Sequence, residues 1–365
     1  MKKYKNIISL LIVSLVFVSL TAASWFSPKK DFSNSERRKL EQFPKISLET
    51  ISNGNFMTKF ESFTQDQFPM RDTFRTLKAF TSYYALGQLD NNGIYIKDGY
   101  AAKIEYPLDE NSLNYAAEKF GYIYEKFLSG NEGNIYFSIA PDKGYFLAEK
   151  NGYLHMDYKK LFSIMQEKMY FANYIDIAET LDITDYYKTD THWRQEKLLK
   201  CAKKLASEMG ITLSKKYTEN TLEYPFYGVY CGQASLPLPS ETIYYLTNDI
   251  LDNCIVTDYE SGTSGKIYNM DKAAGKDPYE MFLSGPVSLI TIENPQSKTG
   301  RELIIFRDSF GSSIAPLLAE GYSKITLVDI RYLRSDYLDK FISFNGQDVL
   351  FLYSTHILNS SETLT

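Results

Sequence analysis

A serine stands where an apolar run ends and a small, polar turn begins. The stretch 304–313 reads IIFRDSFGSS, which places Ser309 after a strand-like run and before a helical pattern. In parallel α/β sheets the ligand crevice lies beyond the carboxyl ends of the strands, and a helix start offers free backbone amides for an oxyanion. A serine there can act as a nucleophile if a base takes its proton. The alternative, open on the local sequence, is a serine that only caps the helix.

The base is expected from the segment 186–193, which reads YYKTDTHW. Asp190 and His192 are two residues apart, and in an extended or looped segment both side chains can point to one side. The carboxylate would then orient the imidazole, and the imidazole would accept the serine proton. Trp193 would shield the site from water or stack on a sugar. The alternative is that Asp190 or Thr191 caps the following helix and that His192 is structural.

The other two histidines have less suitable surroundings. His155 lies in a polar loop, and His356 follows a strand-like run at 349–353. No cluster of His, Cys, Asp and Glu has the spacing of metal ligands, and no glycine-rich nucleotide-binding motif occurs. The sequence therefore predicts neither a metal nor a cofactor.

Because Ser309 and His192 are far apart in the sequence, a scaffold has to bring them together. Apolar runs near the end of the chain alternate with helical segments, which is typical of a parallel sheet covered on both faces. We therefore predict a three-layer α/β/α domain. The predicted strands are 134–140, 287–292, 303–307, 325–330 and 349–353, and the predicted helices are 111–128, 159–171 and 198–209.

The N-terminal segment indicates a membrane anchor. Lys2, Lys3 and Lys5 precede a largely apolar run at 7–20, a signal-sequence pattern that approaches the length of a membrane span. We expect an uncleaved signal anchor in preference to a cleaved signal peptide. The positive residues before the run predict that the rest of the chain lies outside the cytoplasm. Cleavage of the segment would leave a secreted protein.

The remainder of the chain divides into a stalk and an α/β domain. After the anchor at 1–27, residues 28–90 are predicted to form a linker and a helical stalk. Pro69 is expected to separate two helices there, because proline removes a helical hydrogen-bond donor. The aromatic residues of these helices are expected to form a core. Residues 91–365 are predicted to form an α/β domain with a small β-rich insertion at about 210–285.

Composition narrows the class of partner. The chain has 365 residues and is 44% hydrophobic, which is enough for a sizeable core. The net charge is −5 and the sequence has no basic face, so nucleic acid is not an expected partner. Cys201, Cys231 and Cys254 share no CxxC spacing. They form either one disulfide with a thiol left over or a set of small buried residues.

Five sequence blocks resemble one family. The pair 189–193 (TDTHW) and 307–310 (RDSF) resembles the motifs of the DHHW family of Gram-positive bacteria, and the blocks 35–44, 66–72 and 328–332 also look like blocks of that family. The family is similar to the SGNH-hydrolase-like domain of alginate O-acetyltransferase accessory proteins. The name-giving tetrad stands here as DTHW, without its first histidine.

The resemblance implies an extracytoplasmic serine O-acetyltransferase or acetyl esterase that acts on a cell-surface glycan. Ser309 would carry the acetyl group as an acyl-serine, with His192 as the base and Asp190 orienting it. A membrane-bound O-acyltransferase is the implied partner. The alternative is a catalytically inactive, membrane-tethered protein for glycan binding or envelope assembly on the same fold. The residues expected to contact substrate are Trp193, Lys143, Arg307, Arg331 and Tyr332.

Overall fold

The structure is a computed structural model that describes residues 2–130 and 132–365. By their internal packing these residues fall into two units. One comprises the chain up to Asn92 together with Cys231–Pro237, and the other comprises Gly93–Tyr230 and Leu238–Thr365. The predicted division into an anchor, a stalk and an α/β domain stays a prediction, because packing alone does not define independently folding domains.

Helices and strands alternate along most of the described chain. The α-helices are α1 (Lys2–Phe26), α2 (Leu48–Ser52), α3 (Asn55–Asp66), α4 (Arg71–Phe80), α5 (Glu110–Ile123), α6 (Lys143–Leu147), α7 (Tyr158–Lys168), α8 (Leu199–Glu208), α9 (Val229–Ala234), α10 (Asp249–Asn253), α11 (Met270–Ala273), α12 (Gly311–Ile314) and α13 (Thr355–Leu358). The strands are β1 (Phe32–Ser33), β2 (Arg38–Lys39), β3 (Ile94–Lys97), β4 (Tyr100–Lys103), β5 (Ile135–Ala140), β6 (Asn173–Tyr174), β7 (Thr218–Thr221), β8 (Tyr244–Thr247), β9 (Ile255–Asp258), β10 (Thr263–Gly265), β11 (Leu289–Glu293), β12 (Glu302–Arg307), β13 (Lys324–Val328) and β14 (Asp348–Ser354). Two π-helical turns (Thr81–Ala85 and Tyr124–Leu128) extend α4 and α5, and 3₁₀ turns occupy Glu149–Asn151, Ala178–Thr180, Ile183–Asp185, Gln195–Lys197, Pro278–Met281, Ala315–Gly321, Ser335–Lys340 and Ser361–Thr363.

The second unit is built on a mixed sheet. Its described strands follow the order β10-β9-β11-β13-β12-β14-β5-β6. The strands from β13 to β6 in this order are parallel, as predicted. The predicted strand at 287–292 corresponds to β11, which is antiparallel to β13 and β9. Only the loop 294–301 separates β11 from β12, and a parallel crossover needs about a dozen residues or more, so β11 runs in the opposite direction.

The predicted insertion contributes to this same sheet. Its strands β9 and β10 pair with each other, and β9 pairs with β11. Strands β7 and β8 form a separate two-stranded ribbon. Part of the segment at about 210–285 therefore extends the sheet, while the rest forms loops and the ribbon.

Both faces of the sheet are covered. On β12, Leu303 and Ile305 point into one core together with residues of α8, whereas Ile304 and Phe306 point into the other with residues of α5 and α7. Successive side chains of a strand point to opposite faces, so a strand buried on both faces is apolar throughout. The three-layer α/β/α arrangement predicted from the sequence is confirmed.

The predicted interruption of the stalk helices at Pro69 is confirmed, since α3 ends at Asp66 and α4 begins at Arg71. The expectation that their aromatic residues form a core is wrong for α4 and the turn after it. The buried side chains there are small, Ala79 and Ser82, and the large apolar ones face solvent. A helix can pack through a row of small residues spaced three apart. The exposed apolar residues are Phe74, Leu77, Phe80 and Tyr84.

The sequence blocks 35–44 and 66–72 contact each other in the first unit. Two guanidinium nitrogens of Arg38 donate to the Asp66 carboxylate at 2.8 and 2.6 Å. Arg71 is ion-paired with Glu36 at 2.6 Å. The hydrogen bonds from Arg38 hold the pKa of the Asp66 carboxyl below its usual value. These two blocks therefore have a structural explanation.

Within α1, the segment Tyr4–Phe26 is long and apolar enough to cross a bilayer. This finding fits a membrane anchor and a signal sequence equally well. Cys201 and Cys254 are buried thiols that form no disulfide. Burial raises the pKa of Cys201 to about 12 and that of Cys254 to about 11, so neither is a thiolate at neutral pH.

Candidate active site

Ser309 lies in the turn between β12 and α12, at the carboxyl end of the parallel strands. The preceding residue fixes this turn. One oxygen of Asp308 accepts the amide of Phe310 at 2.9 Å, and the other accepts the amide of Ser354 at 2.7 Å. Asp308 thereby ties the turn to the neighbouring strand β14. Ser309 is half-buried between two buried residues, so it is the member of this group that solvent reaches.

His192 links Ser309 to Asp190. Its Nε2 lies 2.9 Å from Ser309 Oγ, and its Nδ1 lies 2.6 Å from Asp190 Oδ1. A carboxylate accepts hydrogen bonds only, so Nδ1 carries the proton and Nε2 accepts the serine hydroxyl. The backbone amide of His192 also donates to Asp190 Oδ1, at 3.1 Å. In this geometry Asp190 orients the imidazole and does not cap a helix.

Residues from the predicted insertion hold the loop that carries Asp190. The second oxygen of this buried carboxylate accepts the amide of Val229 at 2.8 Å. The amide of Gly228 donates to the hydroxyl of Thr189 at 3.0 Å. Thr189 is also bound by Glu241, whose carboxylate accepts hydrogen bonds from the Thr189 hydroxyl and amide, each at 2.6 Å. Thr189 and the Asp190 carboxylate are therefore held in place by hydrogen bonds with the segment at about 210–285.

Aromatic rings enclose the imidazole. The ring of Tyr279 stacks on His192 with centroids 4.0 Å apart and planes 10° apart. The hydroxyl of Tyr279 and the indole nitrogen of Trp193 each donate a hydrogen bond to Ser313 Oγ at 2.9 Å. Trp193 is fully buried and packs edge-on against Phe310. Trp193 therefore supports Phe310, whose ring centroid lies 5.4 Å from that of His192, and a sugar cannot stack on Trp193 in this conformation.

The expectation of free backbone amides behind Ser309 is wrong for the residues that follow it. The amide of Phe310 donates to the Asp308 carboxylate, that of Gly311 to the Asp308 carbonyl, and that of Ser312 to the Ser309 carbonyl. A tight turn uses these donors internally, so they are not available to a ligand. The amide of Ser309 itself makes no such bond within the described residues.

Solved structures of other proteins share the arrangement of helices and strands described above. A DHHW family protein from Eubacterium siraeum matches with a TM-score of 0.62 and 22% sequence identity, over 75% of this chain and 95% of that one. The chain has the fold of a DHHW family protein. PatB1 from Bacillus cereus, solved with a sulfonyl adduct, matches with a TM-score of 0.59 and 20% identity, over 73% of this chain and 95% of that one.

A third solved structure is more distant from the DHHW fold of this chain. The O-acetyltransferase domain of AlgJ from Pseudomonas putida matches with a TM-score of 0.45 and 10% identity, over 73% of this chain and 92% of that one. A similarity with this TM-score does not indicate what chemistry this chain performs. No protein-family model matches the sequence, and no curated protein matches it.

Lys143 faces the interior, although we predicted it as a contact for substrate. Its ammonium group donates to the carbonyls of Tyr187 and Lys188 at 2.9 and 3.2 Å. It also lies 4.8 Å from the ring centroid of Tyr230. Lys143 is buried and supports the backbone just ahead of Asp190. In this conformation it holds the loop and does not reach a polymer in solvent.

The two predicted arginines also act within the fold. Arg307 is fully buried; its Nη1 lies 3.9 Å from an oxygen of Asp329, and its Nη2 bonds to the Val287 carbonyl at 3.4 Å. Arg331 donates twice to Asp329, at 2.9 and 2.6 Å. The guanidinium of Arg331 lies over the ring of Tyr332, which is exposed. Tyr332 is therefore the predicted substrate contact with an accessible side chain.

Sequence reasoning missed the contributions of Gly228, Glu241 and Tyr279. All three come from the segment at about 210–285, where the apolar periodicity is weak. The one available signal was a glycine between aromatic residues, because glycine in an irregular segment permits close approach of two backbones. Their roles depend on contacts that no local pattern encodes.

Gly228→Ala is expected to impair the site. A Cβ at Gly228 would lie 2.2 Å from the carbonyl carbon and oxygen of Thr189 and 2.4 Å from the Asp190 nitrogen. These are backbone atoms, so the Asp190 loop has to move. A displacement near 1 Å costs about 10²-fold in rate, and we expect a loss of about 10- to 100-fold in kcat on an acetyl ester. Steady-state kinetics and thermal unfolding will measure the effect.

The matched control is Gly121→Ala on α5, where an added Cβ meets nothing within 4 Å. Activity should be unchanged there, and stability should rise by up to about 1 kcal/mol because alanine favours a helix. Wild-type kcat in Gly228→Ala would contradict the role given to this close approach.

Proposed function

We propose that the protein is an extracytoplasmic, serine-dependent O-acetyltransferase or acetyl esterase that acts on a cell-surface polysaccharide. The observation that supports it most directly is the continuous line of hydrogen bonds from Ser309 through His192 to Asp190, at 2.9 and 2.6 Å. Such a line activates a hydroxyl for acyl transfer, and its recognition rests on geometry and not on the order of residues in the chain.

In the first step Ser309 Oγ attacks the carbonyl carbon of an acetyl donor. The hydroxyl proton passes to Nε2 of His192, and Asp190 stabilises the imidazolium through the proton on Nδ1. The amide of Ser309 is the donor that the turn leaves for the oxyanion. The C–O bond to the leaving group then breaks, and the departing alcohol takes the proton from His192. The product is an acetyl ester on Ser309.

In the second step an acceptor hydroxyl gives its proton to Nε2 of His192, and its oxygen attacks the acetyl carbon of the acyl-serine. The C–O bond to Ser309 Oγ then breaks, and Oγ takes the proton back from His192, which restores the free serine. A sugar hydroxyl as acceptor makes the protein a transferase, and water makes it an esterase. Tyr279 and Phe310 pack against the imidazole and give it apolar surroundings, which limits the approach of water from behind the ring. The serine side remains open to solvent, where a polymer can reach it.

The proposed location and partners follow from the N-terminal helix and from the resemblance of the sequence. Anchoring through α1 would keep the catalytic unit at the membrane surface, on the side where envelope glycans are found. A membrane-bound O-acyltransferase that exports acetyl groups would supply the donor. Exposed Tyr332 offers an aromatic surface for a sugar ring.

Trapping of an acyl-serine tests the proposal. The full chain, kept in detergent micelles, is incubated with para-nitrophenyl acetate, quenched in acid and digested for peptide mass spectrometry. We expect the mass of one acetyl group on the peptide that contains Ser309, with the fragment ions assigning it to this residue. A chain that neither hydrolyses the ester nor acquires this modification would overturn the proposal in favour of the non-catalytic, glycan-binding alternative.

A further inference from the structure

A groove of about 660 Å³ lies on the sheet at the end away from Ser309. Its floor is formed by Thr291 on β11, Thr326 on β13 and Ile304 on β12, and Thr326 is the direct cross-strand neighbour of both others. The groove extends to Glu302, the first residue of β12, whereas Ser309 follows the last residue of that strand. The groove is therefore separate from the candidate active site.

The floor contains a polar group that the described residues leave without a hydrogen-bond partner. Thr291 is 2% exposed, and its hydroxyl has no hydrogen-bond partner among the described residues. Neighbouring Thr326 is also buried. A buried hydroxyl without a partner is unfavourable, and the deficit is removed when a molecule from outside the chain supplies a donor or an acceptor. The volume is within the range of ligand pockets.

Two aromatic side chains border this polar floor. Tyr259 is 46% exposed and Phe341 is 54% exposed, and both line the groove. Rings of this kind pack against the C–H faces of a pyranose while nearby polar groups bind its hydroxyls. The lining carries two residues of each sign, Lys324 and Arg301 with Glu302 and Asp348, so it does not select for a charged ligand. An apolar peptide or a lipid chain would leave the floor hydroxyls unpaired.

We propose that this groove is a second saccharide-binding site, which takes a neutral stretch of a glycan. Tyr259 and Phe341 pack against sugar rings, and Thr291 hydrogen-bonds to a sugar hydroxyl. The choice of a glycan rests on the proposed function. A second site keeps the polymer attached between acyl transfers and so raises its effective concentration at Ser309.

Binding is measured on the full chain carrying Ser309→Ala, in a detergent without a sugar headgroup, by calorimetric titration with chitotetraose and cellotetraose. We expect at least one of them to bind. The double variant Tyr259→Ala/Phe341→Ala should weaken this binding about tenfold or more, because aromatic contacts dominate such sites. Tyr170→Ala, which removes a ring that is 78% exposed and outside the groove, should leave binding unchanged.

Thr291→Val isolates the unpartnered hydroxyl. Valine has a similar shape without the polar group, so the melting temperature should stay the same or rise, because no hydrogen bond of the free protein is lost. Saccharide binding should weaken about fivefold, the value of one neutral hydrogen bond. A purely structural threonine would show a fall in melting temperature with unchanged binding.

The outcomes separate this proposal from the proposed function. Failure of both saccharides to bind, or binding that survives the double variant, would overturn the groove proposal even if Ser309 becomes acetylated. Saccharide binding that depends on Tyr259 and Phe341, in a chain whose Ser309 is never acetylated, would support the groove and overturn the catalytic proposal.

Discussion

Ser309→Ala is expected to abolish hydrolysis of a small acetyl ester, with kcat falling by about 10³-fold or more. The hydroxyl that His192 contacts at 2.9 Å disappears, so no acyl-serine can form. The fold should persist, because the Asp308 carboxylate and not the Ser309 side chain ties the turn to β14. Steady-state kinetics with para-nitrophenyl acetate gives the rate, and thermal unfolding gives the stability.

Ser312→Ala provides the matched control, since it makes the same substitution in the same turn. Ser312 is buried, and the contact of His192 in this turn is with Ser309 and not with Ser312. Its removal should leave kcat within about twofold of the wild type, as expected for a group outside the transition state. If Ser309→Ala retains full activity with an unchanged melting temperature, then Ser309 is not the nucleophile.

The core strands were predictable because burial on both faces leaves a local signature. Residues 303–306 and 349–353 are apolar throughout, and they lie in β12 and β14. The direction of β11 was not predictable in the same way. It depends on which strands β11 pairs with, and strand pairing is decided by contacts distant in the sequence.

The candidate site was predictable as residue types and not as an assembly. A serine at a strand end and an Asp and a His two residues apart are local patterns, and the structure brings Ser309, His192 and Asp190 together. The support of Asp190 by Val229 was not predictable. It depends on a loop that reaches the site only in the folded protein.

The roles of charged side chains were predicted least accurately from the sequence. Lys143 and Arg307 were expected to contact substrate, whereas both side chains are buried. The structure gives the buried Lys143 two carbonyl acceptors and places the buried Arg307 3.9 Å from a carboxylate oxygen of Asp329, so each cation has a partner inside the fold. The sequence does not reveal such partners, because each comes from a different element.

The apolar residues of α4 show the converse error, because side chains that were expected in a core are exposed. Phe74, Leu77 and Phe80 follow a helical spacing that predicts burial, yet the helix packs through Ala79. Periodicity identifies an apolar face and does not identify what covers it.

Asp190→Asn is expected to lower kcat by about 10²- to 10⁴-fold, because it disturbs the tautomer of His192. One oxygen of Asp190 accepts from the backbone amide and Nδ1 of His192, and the other accepts from Val229. An amide side chain has one oxygen and one NH₂ group, so it can serve only one of these two sides. If its NH₂ faces His192, then Nδ1 must lose its proton and Nε2 gains one, and Nε2 can no longer accept from Ser309.

The second orientation of the new side-chain amide lowers stability and not primarily kcat, so measurements of both quantities distinguish the two orientations. If the amide oxygen faces His192, the NH₂ group opposes the amide of Val229, and one buried donor is left unpaired at a cost of about 1–3 kcal/mol. Measurement of kcat and of the free energy of unfolding will show which effect is larger.

Asp98→Asn is the control, since it makes the same change at an exposed turn with φ of 52°, a conformation that asparagine adopts readily. A buried carboxylate whose two oxygens both accept hydrogen bonds cannot be replaced by an amide without loss on one side. Wild-type kcat and stability in Asp190→Asn, equal to those of Asp98→Asn, would therefore remove Asp190 from the mechanism.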